Sequence, residues 1–152
     1  MAVVTRIAFI FGLIEIVIST TLREFNEECL MRHNFYRKKH GLQPLELDET
    51  AIHFAQKWAN YLSRECEFKI DKKSPYGENV AGGDFTCTQA VDRWYNRKRI
   101  YEKSSPRSAG QFTQIVWKSS YFLGCGVAKH CEFKRVTVCY YFPPGNIIDH
   151  FK

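Results

Sequence analysis

Five histidines, His33, His40, His53, His130 and His150, are the side chains of this chain whose ordinary pKa suits base chemistry near neutral pH. Nucleophilic catalysis needs an activated Ser or Cys beside such a base. No serine stands in a glycine-flanked nucleophile elbow. The six cysteines, Cys29, Cys66, Cys87, Cys125, Cys131 and Cys139, read first as disulfides of an oxidising compartment. His33 is expected to be packed or hydrogen-bonded, whereas His130, in a hairpin turn, and His150, near the end, are expected to be solvated. No Cys/His zinc-finger spacing, aromatic RNA-binding signature or Lys-bearing phosphate loop is present. The expectation is a non-enzyme without a nucleic-acid partner.

The elements that must position these residues follow from periodicity. From Leu22 to His40 the spacing of Phe25, Cys29, Leu30 and Tyr36 is helical, and Gly41 ends the helix. Asp48 caps a second helix to about Arg64, with Ala51, Ala55, Trp58, Ala59 and Leu62 on its buried face. Glu65 to Gly77 is a polar surface loop, and Asn79 to Gly82 a short strand. Thr86 and Gln89 have capping-box spacing at the start of a third helix that runs to about Tyr101. Ser108 caps a short helix bearing Phe112, Ile115 and Val116. Tyr121 onward and Val136–Phe142 form a hairpin, with Gly124 and Gly126 allowing close approach and Pro143-Pro144-Gly145 ending the ladder. Cys125 and Cys139 are roughly equidistant from the Lys129–Lys134 turn, so a cross-strand bridge fits them.

At the start of the chain, Arg6 precedes an apolar run from Ile7 to Ile18, broken by Gly12 and Glu15. Small residues Ser19-Thr20-Thr21 follow, the pattern of a cleaved secretory signal. The expected organisation is a signal over residues 1–21 and one domain over 22–152, secreted to the extracellular space without stable membrane insertion. Ala2 stands where N-myristoylation requires glycine. No Asn-x-Ser/Thr acceptor occurs.

Several segments together carry a resemblance. They are HNFYRKKHGLQPLELD (His33–Asp48), YGENVAGG (Tyr76–Gly83), AVDRWYNR (Ala90–Arg97), GQFTQIVW (Gly110–Trp117), LGCGVA (Leu123–Ala128) and VCYYFPPGN (Val138–Asn146). In this order they resemble the CAP superfamily of cysteine-rich secretory, antigen 5 and pathogenesis-related proteins, in particular its single-domain Golgi-associated pathogenesis-related branch. The resemblance implies an α+β fold: a three-layer α-β-α sandwich with a small, mostly antiparallel sheet. It also implies disulfides Cys125–Cys139 and Cys66–Cys131. Cys29 and Cys87 then pair with each other or stand as free thiols.

In many members two His and two Glu line a cleft and bind a divalent metal, a donor set suited to zinc. Residue by residue, the Glu of GEN is Glu78. The Glu that usually follows the third-helix WY is replaced by Arg97, and the His of the GHFT pattern by Gln111. No histidine lies between His53 and His130 to supply the fourth ligand. The cleft is therefore expected to hold no metal or other cofactor, with Glu78 and Arg97 paired and Gln111 as a neutral partner. The formal net charge of +6 and the run Arg93, Arg97, Lys98, Arg99, Lys103 and Arg107, opposed by Asp92 and Glu102, give a basic rim. Arg93, Arg97, Lys98 and Arg99 are candidates for binding an anionic lipid or glycan. The expected function is a secreted binding or signalling module, its partner an unidentified protein receptor or such an anion. Alternatives are a sterol or fatty-acid carrier, through the segment Ile100–Arg107, and a tetrad-dependent hydrolase. No cysteine-rich extension follows the domain, so the ion-channel activity of some relatives is not expected.

Overall fold

The computed structural model describes residues 2–103 and 110–147, with side chains from residue 21. The expected cap Ser108, the cation Arg107, His150 and much of the segment 100–107 lie outside the described residues.

Helix α1 (Ala2–Lys39) is continuous, so no backbone break marks the boundary expected at residues 21 and 22. It stops where expected: Gly41 takes φ +64°, and Leu42 N–H closes onto Arg37 O. Strand β1 (Glu46–Leu47) is a two-residue piece that the sequence did not reveal. Helix α2 (Glu49–Glu65) is capped by Asp48, whose carboxylate accepts Ala51 N–H at 2.6 Å. Strand β2 (Gly77–Gly82) begins two residues earlier than expected. The capping box of Thr86 and Gln89 starts helix α3 (Cys87–Tyr95). The single helix expected to about Tyr101 is broken: α3 stops at its C-cap Asn96, and a separate turn α4 (Lys98–Lys103) follows. Asn is a weak helix former, and the Arg97 N–H closes onto Trp94 O instead of continuing the helical ladder. Helix α5 (Gly110–Ile115) and the hairpin β3 (Phe122–His130) and β4 (Lys134–Phe142) complete the chain.

The sheet order is β1-β3-β4-β2, antiparallel except where β1 runs parallel to β3. It lies between α2 on one face and α1, α3 and α5 on the other. Strand period 2 sorts the core: Val136, Val138 and Tyr140 of β4 pack with Ala51, Ala55, Ala59 and Leu62. Cys139 and Tyr141, from the same strand, join Cys29, Cys87, Val91 and Trp94 on the other face. The alanine row lets α2 settle on the sheet because β3 offers glycine beneath it. A Cβ on Gly124 would run into the backbone of Ala51 and Ile52, and one on Gly126 into Gln56.

β1 covers β3 only at Phe122 and Leu123, which leaves later backbone groups of β3 unpaired at the sheet edge. Side-chain amides take the place of a strand. Asn26 of α1 accepts Cys125 N–H at 2.7 Å and donates to Cys125 O at 2.9 Å. Gln56 of α2 does the same for Val127, at 3.0 and 2.9 Å. Asn34 likewise holds Leu45.

Three disulfides form, Cys29–Cys87, Cys66–Cys131 and Cys125–Cys139, and no described cysteine is free. Cys29–Cys87 ties α1 to α3 and packs beside Cys125–Cys139, with all four sulfurs buried and within 4.8 Å of one another. Among the described residues no helix is long and apolar enough to cross a membrane.

The bridges should differ in weight. In the chain-entropy view a crosslink constrains the unfolded chain more when its loop is longer: Cys29–Cys87 spans 58 residues and Cys125–Cys139 spans 14. Denaturant unfolding of a Cys29→Ala/Cys87→Ala variant should show a loss of about 4 kcal/mol, against about 3 kcal/mol for Cys125→Ala/Cys139→Ala. A smaller loss for the first pair would show that unfolded-state entropy does not set their ranking.

Candidate functional site

The floor beneath the cleft is a chain of buried polar groups. His33 is fully buried on α1. Its Nδ1–H donates to Cys29 O at 2.7 Å, and its Nε2 accepts the Tyr141 hydroxyl proton at 2.7 Å. Asn79 Nδ2 in turn donates to the Tyr141 oxygen at 3.1 Å and to Gln111 O at 3.0 Å. Burial pulls the His33 pKa down to about 4, so the imidazole is neutral, fixed and without a nucleophile. It is the structural histidine that was expected.

One turn further along α1, Arg37 is also fully buried. Its guanidinium donates to Gln43 O, Ile115 O, Trp117 O and Ser120 O at 2.8–3.0 Å. Burial lowers its pKa. The sequence reading did not single out Arg37, although Cys29, His33 and Arg37 repeat at i, i+4 on the buried stripe of the helix. A charged residue on an apolar face was the available signal.

Above this floor, α3 and α5 flank the outer edge of β2 and enclose a cavity of about 400 Å³. Its walls include Arg93, Asn96, Arg97, Gln111, Trp94 and Phe68. At the edge, the Val80 carbonyl accepts the Trp94 indole N–H at 3.1 Å and Gln111 Nε2–H at 3.2 Å. The cavity gathers Arg93, Arg97 and Gln111, while Lys98 and Arg99 do not line it.

Glu78 is elsewhere. On β2 it stands in register with Tyr140, on the α2 side of the sheet, because strand side chains alternate between faces. Its Oε2 accepts Asp71 N–H at 2.7 Å, while its Oε1 and Trp58 Nε1 are buried without a hydrogen-bond partner. The expected Glu78–Arg97 ion pair does not form among the described residues. Desolvation, with the nearby Asp71 carboxylate adding to it, raises the Glu78 pKa to about 7, against the Asp71 backbone hydrogen bond and the Trp58 indole. The residues present do not fit a metal ion: the Arg97 and Gln111 positions offer a cation and an amide already donating, and the single carboxylate faces away from them.

The charges of the rim are sorted by partner. Asp92 faces α1, where it pairs with Arg32 at 2.5 Å and accepts the Tyr36 hydroxyl. Glu102 pairs with Lys98 at 3.4 Å. Arg93, Arg97 and Arg99 are exposed and have no carboxylate partner among the described residues. Arg93 lies over the Phe85 ring at 4.6 Å.

Each of the other described histidines lies beside an aromatic ring. His40 Nε2 meets the Tyr95 hydroxyl at 3.0 Å, and His53 is exposed beside Phe54. His130 corrects the expectation that it is solvated: it is 6% exposed. Its Nδ1 accepts Glu132 N–H and its Nε2–H donates to Glu67 O at 3.0 Å. It closes the long loop against the hairpin next to Cys66–Cys131.

The cysteine-rich secretory protein (CAP) family model matches residues 30–141. The chain is similar to pathogenesis-related protein 1 of Arabidopsis thaliana, 32% identical over 136 residues, covering 86% of this chain and 84% of that protein. It is 33% identical over 135 residues to Golgi-associated plant pathogenesis-related protein 1 of Homo sapiens, covering 84% and 88%. Among solved structures, MpPR-1i superposes with a TM-score of 0.61 at 25% identity, covering 84% of this chain and 93% of that one. These likenesses agree with the α-β-α sandwich.

The two shifted groups act in opposite directions on stability. The folded-state Glu78 pKa is raised from 4.5 to about 7, so its contribution is present below pH 4.5 and lost as pH rises through about 7. The His33 pKa is lowered from 6.5 to about 4, so its contribution is present above pH 6.5 and lost as pH falls through about 4. Thermal unfolding across this range should therefore show Glu78→Gln gaining on wild type as pH rises from about 4.5 to about 7, with a constant difference above that, and a steeper acid slope in the variant. Equal pH profiles for the two proteins would contradict the buried, proton-holding Glu78.

Proposed function

Because the chain belongs to the cysteine-rich secretory protein family, we propose that it is a secreted, non-enzymatic binding module whose cleft receives anionic groups in place of a metal ion. The observation that carries this reading is the pairing of charges around the cavity. The neighbouring acids are spent on Arg32 and Lys98, while Arg93 and Arg97 on the cavity wall have no carboxylate partner among the described residues. Guanidinium offers a planar fork matched to sulfate, phosphate and carboxylate oxygens. Asn96 and Gln111 add amide groups beside it, and Trp94 and Phe68 supply an apolar wall. A sulfated glycan or an acidic lipid head group has the chemistry that such a cavity selects.

Nothing in the cavity supports hydrolysis. No described serine, cysteine or histidine lines it, and the buried His33 has both ring nitrogens engaged. Secretion is supported by the three disulfides and by the N-terminal apolar run.

Elution from heparin across a salt series tests the reading, with wild type compared against Arg97→Gln and a Lys98→Gln/Arg99→Gln variant. Wild type should elute at clearly higher salt than Arg97→Gln, with binding that falls steeply as salt screens it. Calorimetric titration with zinc of the tag-free protein should show no stoichiometric binding. Coincident elution of all three proteins, or submicromolar zinc binding abolished by Glu78→Ala, would contradict the proposal.

A further inference from the structure

A second cavity, of about 440 Å³, lies on the α2 side of the sheet, between that helix and the loop that precedes β2. It is separate from the arginine cavity, which sits at the outer edge of β2. Aromatic rings dominate its walls. Trp58 and Tyr61, one turn apart on α2, are stacked at 4.9 Å and 5°. Tyr76 and Tyr140 are stacked at 5.2 Å and 6°, and Phe54 stands 6.3 Å from Tyr76. In each stacked pair one ring face is covered by its partner, and Tyr140 belongs to the core. The rings border an open space, with Phe54 43% exposed at its side.

The acids beside these rings are not compensated. Asp71 lines the cavity, and Glu78 reaches it from β2 through the Asp71 N–H. Neither carboxylate has a cationic side chain in ion-pair contact among the described residues. The Asp71 carboxylate accepts the Lys73 backbone N–H at 3.0 Å and is hydrogen-bonded to the Tyr140 hydroxyl. Lys57 and Lys73 line the cavity too, but both are exposed. Glu78 Oε1 and the Trp58 indole N–H are buried beside one another, with the indole acting on the Glu78 carboxyl. Ring faces carry negative quadrupole potential, and the Asp71 carboxylate beside them deepens it. The occupant with matching chemistry is a cation too apolar to demand full hydration.

We infer that this cavity binds an alkylated ammonium, a trimethylammonium head of the choline type, held among the rings of Phe54, Trp58 and Tyr76 with Asp71 as counter-charge. The methyl groups meet the rings, and the charge needs no hydrogen-bond donor or acceptor from the walls. The volume also admits the chain that such a head carries.

Calorimetric titration of the full chain with choline, beside its uncharged isostere 3,3-dimethylbutan-1-ol, tests this directly. Choline should bind with one site and at least roughly tenfold more tightly than the isostere, the ratio expected of a desolvated cation–π contact. Tyr76→Leu should weaken choline by about tenfold, and Asp71→Asn should weaken it while sparing the isostere. Lys57→Gln/Lys73→Gln should tighten choline by removing like charge. Equal affinity for choline and its isostere would make the cavity merely apolar and overturn the inference. So would weaker choline binding in the lysine variant, or no saturable binding up to ~10 mM choline. The isostere comparison uses wild type alone and does not depend on any variant folding.

Discussion

The interaction on which the rest of the structure depends is the buried guanidinium of Arg37. Removing a full charge from water is costly unless its hydrogen-bonding capacity is met. Arg37 meets it with four backbone carbonyls and no carboxylate in ion-pair contact. Two of these, Ile115 O and Trp117 O, lie at the C-terminal end of α5, where unsatisfied carbonyls concentrate negative potential. Gln43 O and Ser120 O belong to the segments entering β1 and β3. One side chain therefore fixes the end of α1, the exit of α5 and the approach to the sheet. Gln111, which borders the cleft, is placed by α5 and so indirectly by Arg37.

A small sheet with only two long strands would ordinarily leave its edges exposed. Here α1 and α2 supply Asn26 and Gln56 as surrogate strand partners along β3, and Trp94 and Gln111 take the outward carbonyl of β2. The same helices then pack on the faces of the sheet. This arrangement explains why amides in α1 and α2 are buried within otherwise apolar stripes.

Much of the fold was legible in the sequence because its signals are local. The Thr86 and Gln89 capping box, the Asp48 cap, the Gly41 stop and the Gly124 and Gly126 approach to α2 are each settled by a few neighbouring residues. The α-β-α layers followed from resemblance, as did two of the three bridges. What sequence missed depends on contacts distant in the chain. Arg37 reaches residues about eighty positions away, and the two residues of β1 are a strand only because β3 lies beside them. Glu78 was misplaced relative to Arg97 for a simpler reason: motif spacing gives a residue's position along a strand, but its face also requires the register. His130 was misread because a hairpin turn is usually wet, and here the Cys66–Cys131 loop folds over it.

These features give two cavities separated by β2, with opposite chemistry. One has guanidinium groups without a carboxylate partner among the described residues, and the other has aromatic walls beside Asp71. The central functional claim is that the family's metal cleft has become an anion cleft in this chain. NMR of the arginine Nε–H and glutamine side-chain amide signals, recorded during titration with a sulfated heparin disaccharide and separately with zinc, tests it most directly. The account predicts saturable shifts at Arg97, Arg93 and Gln111 with the disaccharide, and none at these groups with zinc. Saturable zinc-induced shifts centred on Gln111 and Glu78, with the arginines unmoved by the disaccharide, would contradict it.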